Sequence, residues 1–488
     1  MIASFNRKLA LGALLFAMSL AIHTPAQADG TELTRATRDG IAAQLQKASG
    51  KRGVAAMTVL DLETGQVLYQ HNHDKTLAPA SNMKLLTSLA ALELLGEEFE
   101  FITRLYADGR VSDGVLHGDL CIIGGGDPNL SGRFHDNDPV ALFKQWAAQL
   151  KQAGVTRVTG ALRFDSTLFG QDSFSDSWPK DDQYIKWYCA EVSALAFNDN
   201  CIGVRVLPGK AGQKATIELV PPTATIKIIN ETTTAPGRKG AEIGIVRPRD
   251  QNVITVKGKV YEQASWGYYI DVAVHDPARY AAEVLRETLI AQGIAVGGET
   301  APVTMDAAML ARCTVLHEHR SSLLEALGPI NTNSQNLHAE MLFRQLGLRY
   351  AGKGTFKTSQ AAMQDYLRER GMWQDGLVIS DGSGLARDNR VTTQLLASLL
   401  RRANGKAWFS AFRDSLARAG ETGTLEKRLT DKALEGVVYA KTGYISNVRA
   451  LSGYILKDDR KLVFSILMND CAYSRETQDE IVKLLAKG

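Results

Sequence analysis

Ser81-Asn82-Met83-Lys84 sets a hydroxyl and a primary amine three residues apart. On a helix, residues three apart are neighbours, so the Lys84 ammonium would lie beside the Ser81 hydroxyl. A serine hydroxyl is a poor nucleophile until a neighbour takes its proton, and a lysine can do that only when neutral. Burial would bring Lys84 to that state, because low dielectric disfavours its charged form, and a second cation such as Lys441 would add to the effect. The position is otherwise odd, since Lys84 falls in the first turn, where the helix dipole disfavours a cation. The pair is therefore either a helix cap with a solvated lysine or a nucleophile with its base. A second copy of the spacing, Ser177-Trp178-Pro179-Lys180, contains a proline that works against a helical pairing of its ends.

The elements that must hold this pair follow from periodicity. Leu85, Leu86, Leu89, Leu92 and Leu95 recur at helical spacing before Gly96, which predicts a helix from Ser81 that buries one face. Ahead of it, residues 53–71 read as two strands around a turn at Glu63-Thr64-Gly65. From about residue 100 to 275 the chain changes to short β-like segments closely punctuated by Gly, Pro, Asn and Asp. The glycine-rich stretch at 122–132 lacks the spacing of a dinucleotide loop or a P-loop and reads as a turn. Helical periodicity returns after Pro277, and the chain ends in three alternating segments and a helix over 474–487. Two strands and a helix first, three strands and a helix last, predict one sheet assembled from both ends of the chain around an inserted β-rich block.

Composition narrows the class. The chain is 45% hydrophobic and 22% charged over 488 residues, which supplies ample core, and its net charge of +3 gives no case for nucleic acid. Arg7 and Lys8, the apolar run from Leu9 to Ile22, and Ala26-Gln27-Ala28 form a secretory leader, predicting an exported, periplasmic protein cleaved after Ala28. The apolar run is too short for a membrane span, so no transmembrane anchor is expected in the mature chain. Export permits disulfides. Of the five cysteines, Cys189 and Cys201 are the candidate pair, and Cys121, Cys313 and Cys471 read as buried apolar residues. The histidines carry no metal signature; His317 and His319 share a strand face without a partner motif.

Ser334-Gln335-Asn336 lies in a helix-rich segment and Lys441-Thr442-Gly443 on a C-terminal strand. With Ser81 and Lys84, and in this order, they match the motif set of penicillin-binding proteins and serine β-lactamases. Asp381-Gly382-Ser383-Gly384-Leu385, followed by Arg387 and Asn389, resembles a segment of the class C low-molecular-mass penicillin-binding proteins, the D-alanyl-D-alanine carboxypeptidase/endopeptidases. The resemblance covers essentially the whole mature chain. It implies an α/β (α+β) fold: a serine β-lactamase/DD-peptidase-like domain with a five-stranded antiparallel sheet flanked by helices, interrupted by a β-rich insertion forming two extra domains. The corresponding division is a leader at 1–28, the first part of the transpeptidase-like domain at 29–100, the insertion at 101–274 and the second part at 275–488.

The same resemblance implies an activity. Ser81 would form an acyl-enzyme with peptidoglycan stem peptides and their cross-links, with β-lactams as covalent inhibitors and neither metal nor organic cofactor. Ser334 would relay a proton between Lys84 and the leaving amine, and Asn336 would hold the substrate amide. Lys441 and Thr442 would grip the substrate's terminal carboxylate, and Gly443 would let the strand approach closely. The backbone N–H groups of Ser81 and Tyr444 would stabilise the oxyanion, while the Tyr444 ring reshapes the leaving-group side. Arg387 would contact substrate or brace the site. Asp165 resembles an acidic residue that reaches the amino end of the stem. Two rival readings are a β-lactamase, opposed by the long insertion, and a silent peptidoglycan-binding scaffold, opposed by the intact motifs.

Overall fold

Alternating apolar segments from the two ends of the chain meet in one antiparallel sheet. The computed structural model describes residues 32–264, 267–457 and 460–487; the leader expected over 1–28 lies outside them. The first part of the chain supplies α1 (Arg35–Ser49), β1 (Val54–Asp61), β2 (Val67–His71) and α2 (Met83–Leu94). The second supplies α3 (Asn336–Ala351), α4 (Thr393–Ala403), β3 (Val438–Ile445), β4 (Val448–Lys457), β5 (Arg460–Asn469) and α5 (Ser474–Lys487). The sheet order is β3-β4-β5-β1-β2, and a two-residue strand, Ala417–Arg418, adds a sixth member beside β3 beyond the five expected. β1 and β5 run antiparallel with Val54 opposite Asn469, which joins the two ends of the chain at the centre of the sheet.

Strand alternation divides two cores. Ala55, Met57 and Val59 of β1 face Ile41 and Leu45 of α1 and Ile481 and Leu485 of α5. Ala56 and Leu60 face the opposite core, which holds Leu86 and Leu89 of α2, Leu342 of α3 and Leu396 of α4. The expectation that α2 buries a single face is corrected: every residue from Met83 to Leu92 is buried. A helix enclosed on all sides must satisfy its polar side chains internally. Accordingly, Thr87 Oγ1 donates to Gly382 O at 2.7 Å. The helix is also preceded by a 3₁₀ turn, Ala80–Asn82, so Ser81 sits in that turn and makes no side-chain cap.

The insertion leaves and re-enters at one point. Strand Glu100–Ser112 opens it and pairs antiparallel with Thr314–Ser322, Glu100 opposite Ser322, and Leu323 N donates to Phe99 O at 2.9 Å. By sheet membership the inserted part therefore runs past the boundary expected at 274. Helix Pro277–Ala291, whose periodicity signalled a return to the first domain, packs Tyr280 and Leu285 into the core of the inserted strands with Leu120 and Trp146. That core also serves two three-stranded sheets.

The expected disulfide is absent, and all five cysteines are free thiols. Cys189 packs into the large core that contains α2, whereas Cys201 packs against Ala190 and Ala273. Their side chains serve different clusters. Among the described residues no helix is long and apolar enough to cross a membrane.

Candidate active site

Lys84 is wholly buried at the start of α2, and its ammonium has an acceptor for each of its three protons. Nζ lies 3.1 Å from Ser81 Oγ, 2.6 Å from Asn336 Oδ1 and 2.8 Å from Ser383 O. Burial lowers its pKa to about 7 against the pull of Asp381 and Glu340, which favour the charged form. A neutral amine keeps two N–H donors for Asn336 and Ser383 and turns its lone pair to the Ser81 hydroxyl. The geometry therefore fits a base beside a nucleophile and excludes the solvated-lysine alternative.

The second motif enters from the residues ahead of α3. Ser334 adopts a left-handed backbone, φ +64°, and its Oγ accepts from Lys441 Nζ at 2.8 Å. Lys441, also fully buried, holds Thr442 O at 2.9 Å. Burial and then the charge of Lys84 drive its pKa well below the usual lysine value. The hydroxyl of Ser334 is thus coupled to Lys441, while Lys84 is coupled to Asn336. Asn336 is itself held from two sides. Its Oδ1 accepts from Lys84 and its Nδ2 donates to Tyr188 O at 2.7 Å, which orients the amide while its second N–H remains available to the cleft that Asn336 lines.

β3 presses against the Ser81 turn. A Cβ on Gly443 would stand 2.9 Å from Pro79 O and from Ala450 Cβ, and 3.2 Å from Ser81 N. Only glycine lets the strand come this near, and the approach sets the backbone leading into Tyr444 beside the Ser81 N–H. Thr442 Oγ1 donates to Thr424 Oγ1 at 2.8 Å. The Tyr444 ring is 63% exposed and lies over the Arg449 guanidinium at 3.6 Å.

The loop from Asp381 to Gly384 closes the site from behind. The buried Asp381 carboxylate accepts from Gly384 N at 2.8 Å, Ala386 N at 2.7 Å, Asn389 Nδ2 at 2.7 Å and Trp178 Nε1 at 2.9 Å. Gly384 is left-handed, φ +82°, and a Cβ there would lie 1.8 Å from Ala80 O. Glu340 of α3 accepts from Ser383 N at 2.7 Å and Gly382 N at 3.2 Å. Burial and then the charge of Asp381 raise its pKa to about 8.

These elements enclose a cleft of about 570 Å³ between Ser81, Ser334 and Thr442 on one side and Pro179, Trp187 and Tyr188 of the insertion on the other. Arg387 lines the cleft and is exposed, its guanidinium unpaired among the described residues. Asp165 does not line it. That carboxylate is buried in the inserted sheet, its oxygens accepting from Thr167 N at 2.8 Å and Met305 N at 2.7 Å. Its environment is that of a turn-fixing group.

Four contributors were not singled out from sequence. Glu340 could have been, because it lies one turn after Asn336 and so on the same helix face. Thr424 and Tyr188 carry no local signal. Trp178 belongs to the discounted Ser177 copy, which is in fact docked on this loop through Trp178 to Asp381 and through Ser177 Oγ to Asp388 at 2.6 Å.

The fold and the three motifs in one cleft define the penicillin-binding class of serine peptidase folds. The chain belongs to the D-Ala-D-Ala carboxypeptidase 3 (S13) family, whose profile matches residues 37–488. It is 35% identical over 470 residues to a D-alanyl-D-alanine carboxypeptidase of Actinomadura sp. (strain R39), covering 93% of this chain and 85% of that one. It is 24% identical to the D-alanyl-D-alanine carboxypeptidase DacB of Haemophilus influenzae, covering 91% of this chain and 89% of that one. The crystal structure of penicillin binding protein 4 (dacB) from Haemophilus influenzae superposes with a TM-score of 0.77 at 23% identity, covering 91% and 98% of the two chains. This likeness speaks for the fold.

Proposed function

We propose that this protein is a serine D-alanyl-D-alanine carboxypeptidase and DD-endopeptidase that works through an acyl-enzyme on Ser81. The observation that carries the reading is the buried Lys84 amine, 3.1 Å from Ser81 Oγ with its other donors held by Asn336 and Ser383. Neutral Lys84 takes the hydroxyl proton as Ser81 attacks the D-Ala-D-Ala carbonyl. The backbone N–H groups of Ser81 and Tyr444 stabilise the oxyanion. The proton now on Lys84 passes by way of the Ser334 hydroxyl, which Lys441 holds at 2.8 Å, to the departing amine, and Lys84 is neutral again. Lys441, Thr442 and Thr424 receive the terminal carboxylate of the leaving residue, and Arg387 faces the same cleft. Water then hydrolyses the acyl-enzyme.

Membership in the family and the name of the Actinomadura relative support the substrate class. A β-lactam complex of the Haemophilus protein supports covalent inhibition of this chain by the same compounds. Peptidoglycan stems lie outside the cytoplasm, which agrees with an exported chain cleaved after Ala28 and acting in the periplasm.

The test is intact mass spectrometry after incubation with benzylpenicillin, alongside Ser81→Ala, followed by D-alanine release from a D-Ala-D-Ala peptide and digestion of cross-linked muropeptides. A one-to-one adduct on Ser81, absent from the variant, and release of D-alanine support the reading. Penicillin left intact without adduct defeats it, and penicillin consumed without a lasting adduct replaces it with a β-lactamase.

A further inference from the structure

Ser334 holds a left-handed backbone, φ +64°, that a residue with a side chain adopts only when its surroundings enforce it. On one side Lys441 donates to its hydroxyl at 2.8 Å. On the other side the chain runs into Gln335, which begins α3 without a side-chain cap of its own, and the first turn of α3 contains no acidic residue. A helix start of this kind leaves its N–H groups and its positive dipole end without a local partner.

The partner comes from the insertion. Asn198, Asp199 and Asn200 form a turn in which all three residues are left-handed, φ +50°, +55° and +53°. The turn is pinned by its neighbours: Asn198 N donates to Leu130 O at 2.8 Å and Asn200 Nδ2 to Glu191 O at 2.8 Å. It presents Asp199 to the start of α3. Gln335 Nε2 donates to Asp199 Oδ2 at 2.9 Å, and Asp199 Oδ1 lies 3.7 Å from Nδ1 of the buried His338 one turn on. Arg133, also from the insertion, pairs with the same carboxylate from the solvent side.

We propose that Asp199 is a positioning residue for the second motif: its carboxylate, acting through Gln335, holds Ser334 in the left-handed conformation that meets Lys441. It touches no reacting atom. The carboxylate stands at the dipole end where a negative charge is favoured, and it closes a tether from the insertion to the residue next to Ser334. The insertion thereby sets the geometry of the proton-return pair, an inference that rests on the acylation chemistry proposed above.

The substitutions can separate tether from fold. Asp199→Asn is compatible with the left-handed turn, since asparagine favours that backbone, and it keeps an oxygen for Gln335 while removing the charge. Gln335→Met keeps length and helix propensity but cuts the hydrogen bond. The readout is the second-order rate of Ser81 acylation by benzylpenicillin, followed by intact mass on the full chain below its melting transition and normalised to the folded fraction. Gln335→Met should slow acylation roughly tenfold, the size expected of a hydrogen bond to a charged group, with Asp199→Asn intermediate. The double variant should be no slower than Gln335→Met, because both changes act on one tether, which Gln335→Met already cuts. Wild-type rates in both single variants, even with lowered melting temperatures, would overturn the proposal and leave Asp199 a purely structural residue. A wild-type chain that takes no adduct removes the underlying chemistry and the inference with it, so the two failures are distinguishable.

Discussion

If Lys84 is the base, acylation should follow its ionisation, and the structure fixes where. Burial brings its pKa from the ordinary 10.5 to about 7. At pH 7 about half the amine is then neutral, whereas an unperturbed lysine would be neutral in roughly 3 molecules in 10,000. Burial therefore raises the competent population by a factor on the order of 10³, equivalent to about 4 kcal/mol. The reactive form is the deprotonated one, so the rate must rise with pH. The second-order rate constant for acylation by benzylpenicillin should climb about tenfold per unit below neutrality and level off above an apparent pKa of about 7. The penicillin carboxylate is ionised throughout this range and contributes no limb. Lys84→Arg, which stays charged at every accessible pH, should lose a factor of about 10²–10⁴ and lose the limb as well. The assay is stopped-flow or quenched mass spectrometry from pH 5.5 to 9. A flat profile across that range, or a limb near 10, would refute the argument that burial makes Lys84 the base.

Other consequences are local. Asp381→Ala leaves Trp178 Nε1 and the amides of Gly384 and Ala386 without their acceptor. It should cost about 3–5 kcal/mol in urea unfolding, and a loss below about 1 kcal/mol would sink the claim that this carboxylate organises the loop. Gly443→Val puts side-chain atoms against Pro79 O and Ser81 N. It should cut acylation by tenfold or more, about 1.4 kcal/mol in the barrier, while the circular dichroism spectrum is kept; unchanged acylation would show that the close approach of β3 is dispensable. Thiol titration of the denatured, unreduced chain should find all five cysteines reactive, and a count of three would reinstate a disulfide.

The sequence was most readable where local pattern and tertiary role agree. Alternation at both chain ends predicted a sheet built from β1, β2 and β3 to β5, because period-2 burial needs no knowledge of partners. The Ser81 and Lys84 spacing was readable because a helical turn carries its own geometry. What failed was decided by contacts distant in sequence. The leucine pattern of α2 implied one buried face, yet Lys84, Thr87 and Ser88 are buried too, satisfied by Ser383 O, Gly382 O and Asn331 Oδ1 respectively. Helix Pro277–Ala291 was read as marking the boundary, but its apolar face belongs to the inserted core. Cys189 and Cys201 are near in sequence and face different clusters. Nothing local reveals that Lys84 and Tyr188 O orient the Asn336 amide.

These distant contacts bear on whether the insertion could be dispensed with. Its two ends meet where Leu323 N bonds Phe99 O, so a short linker could join residues 99 and 323 without disturbing the sheet. Topology alone would then allow a minimal catalytic domain. The side chains argue otherwise, since Phe169, Trp178, Cys189 and Val192 of the insertion lie in the core that surrounds α2. Trp178 completes Asp381, Tyr188 O holds Asn336, and Asp199 holds Gln335. Excision would remove four apolar side chains from this core and uncover the apolar surface they cover, a loss of about 1.5–3 kcal/mol for each of the larger ones, and strip a partner from the loop and from the second motif. Against a total stability of about 5–15 kcal/mol for a typical domain, that loss is decisive. The excised chain should therefore fail to unfold cooperatively or to acylate Ser81, and a soluble excised protein that reacts with benzylpenicillin within tenfold of the full chain would show the insertion to be an appendage.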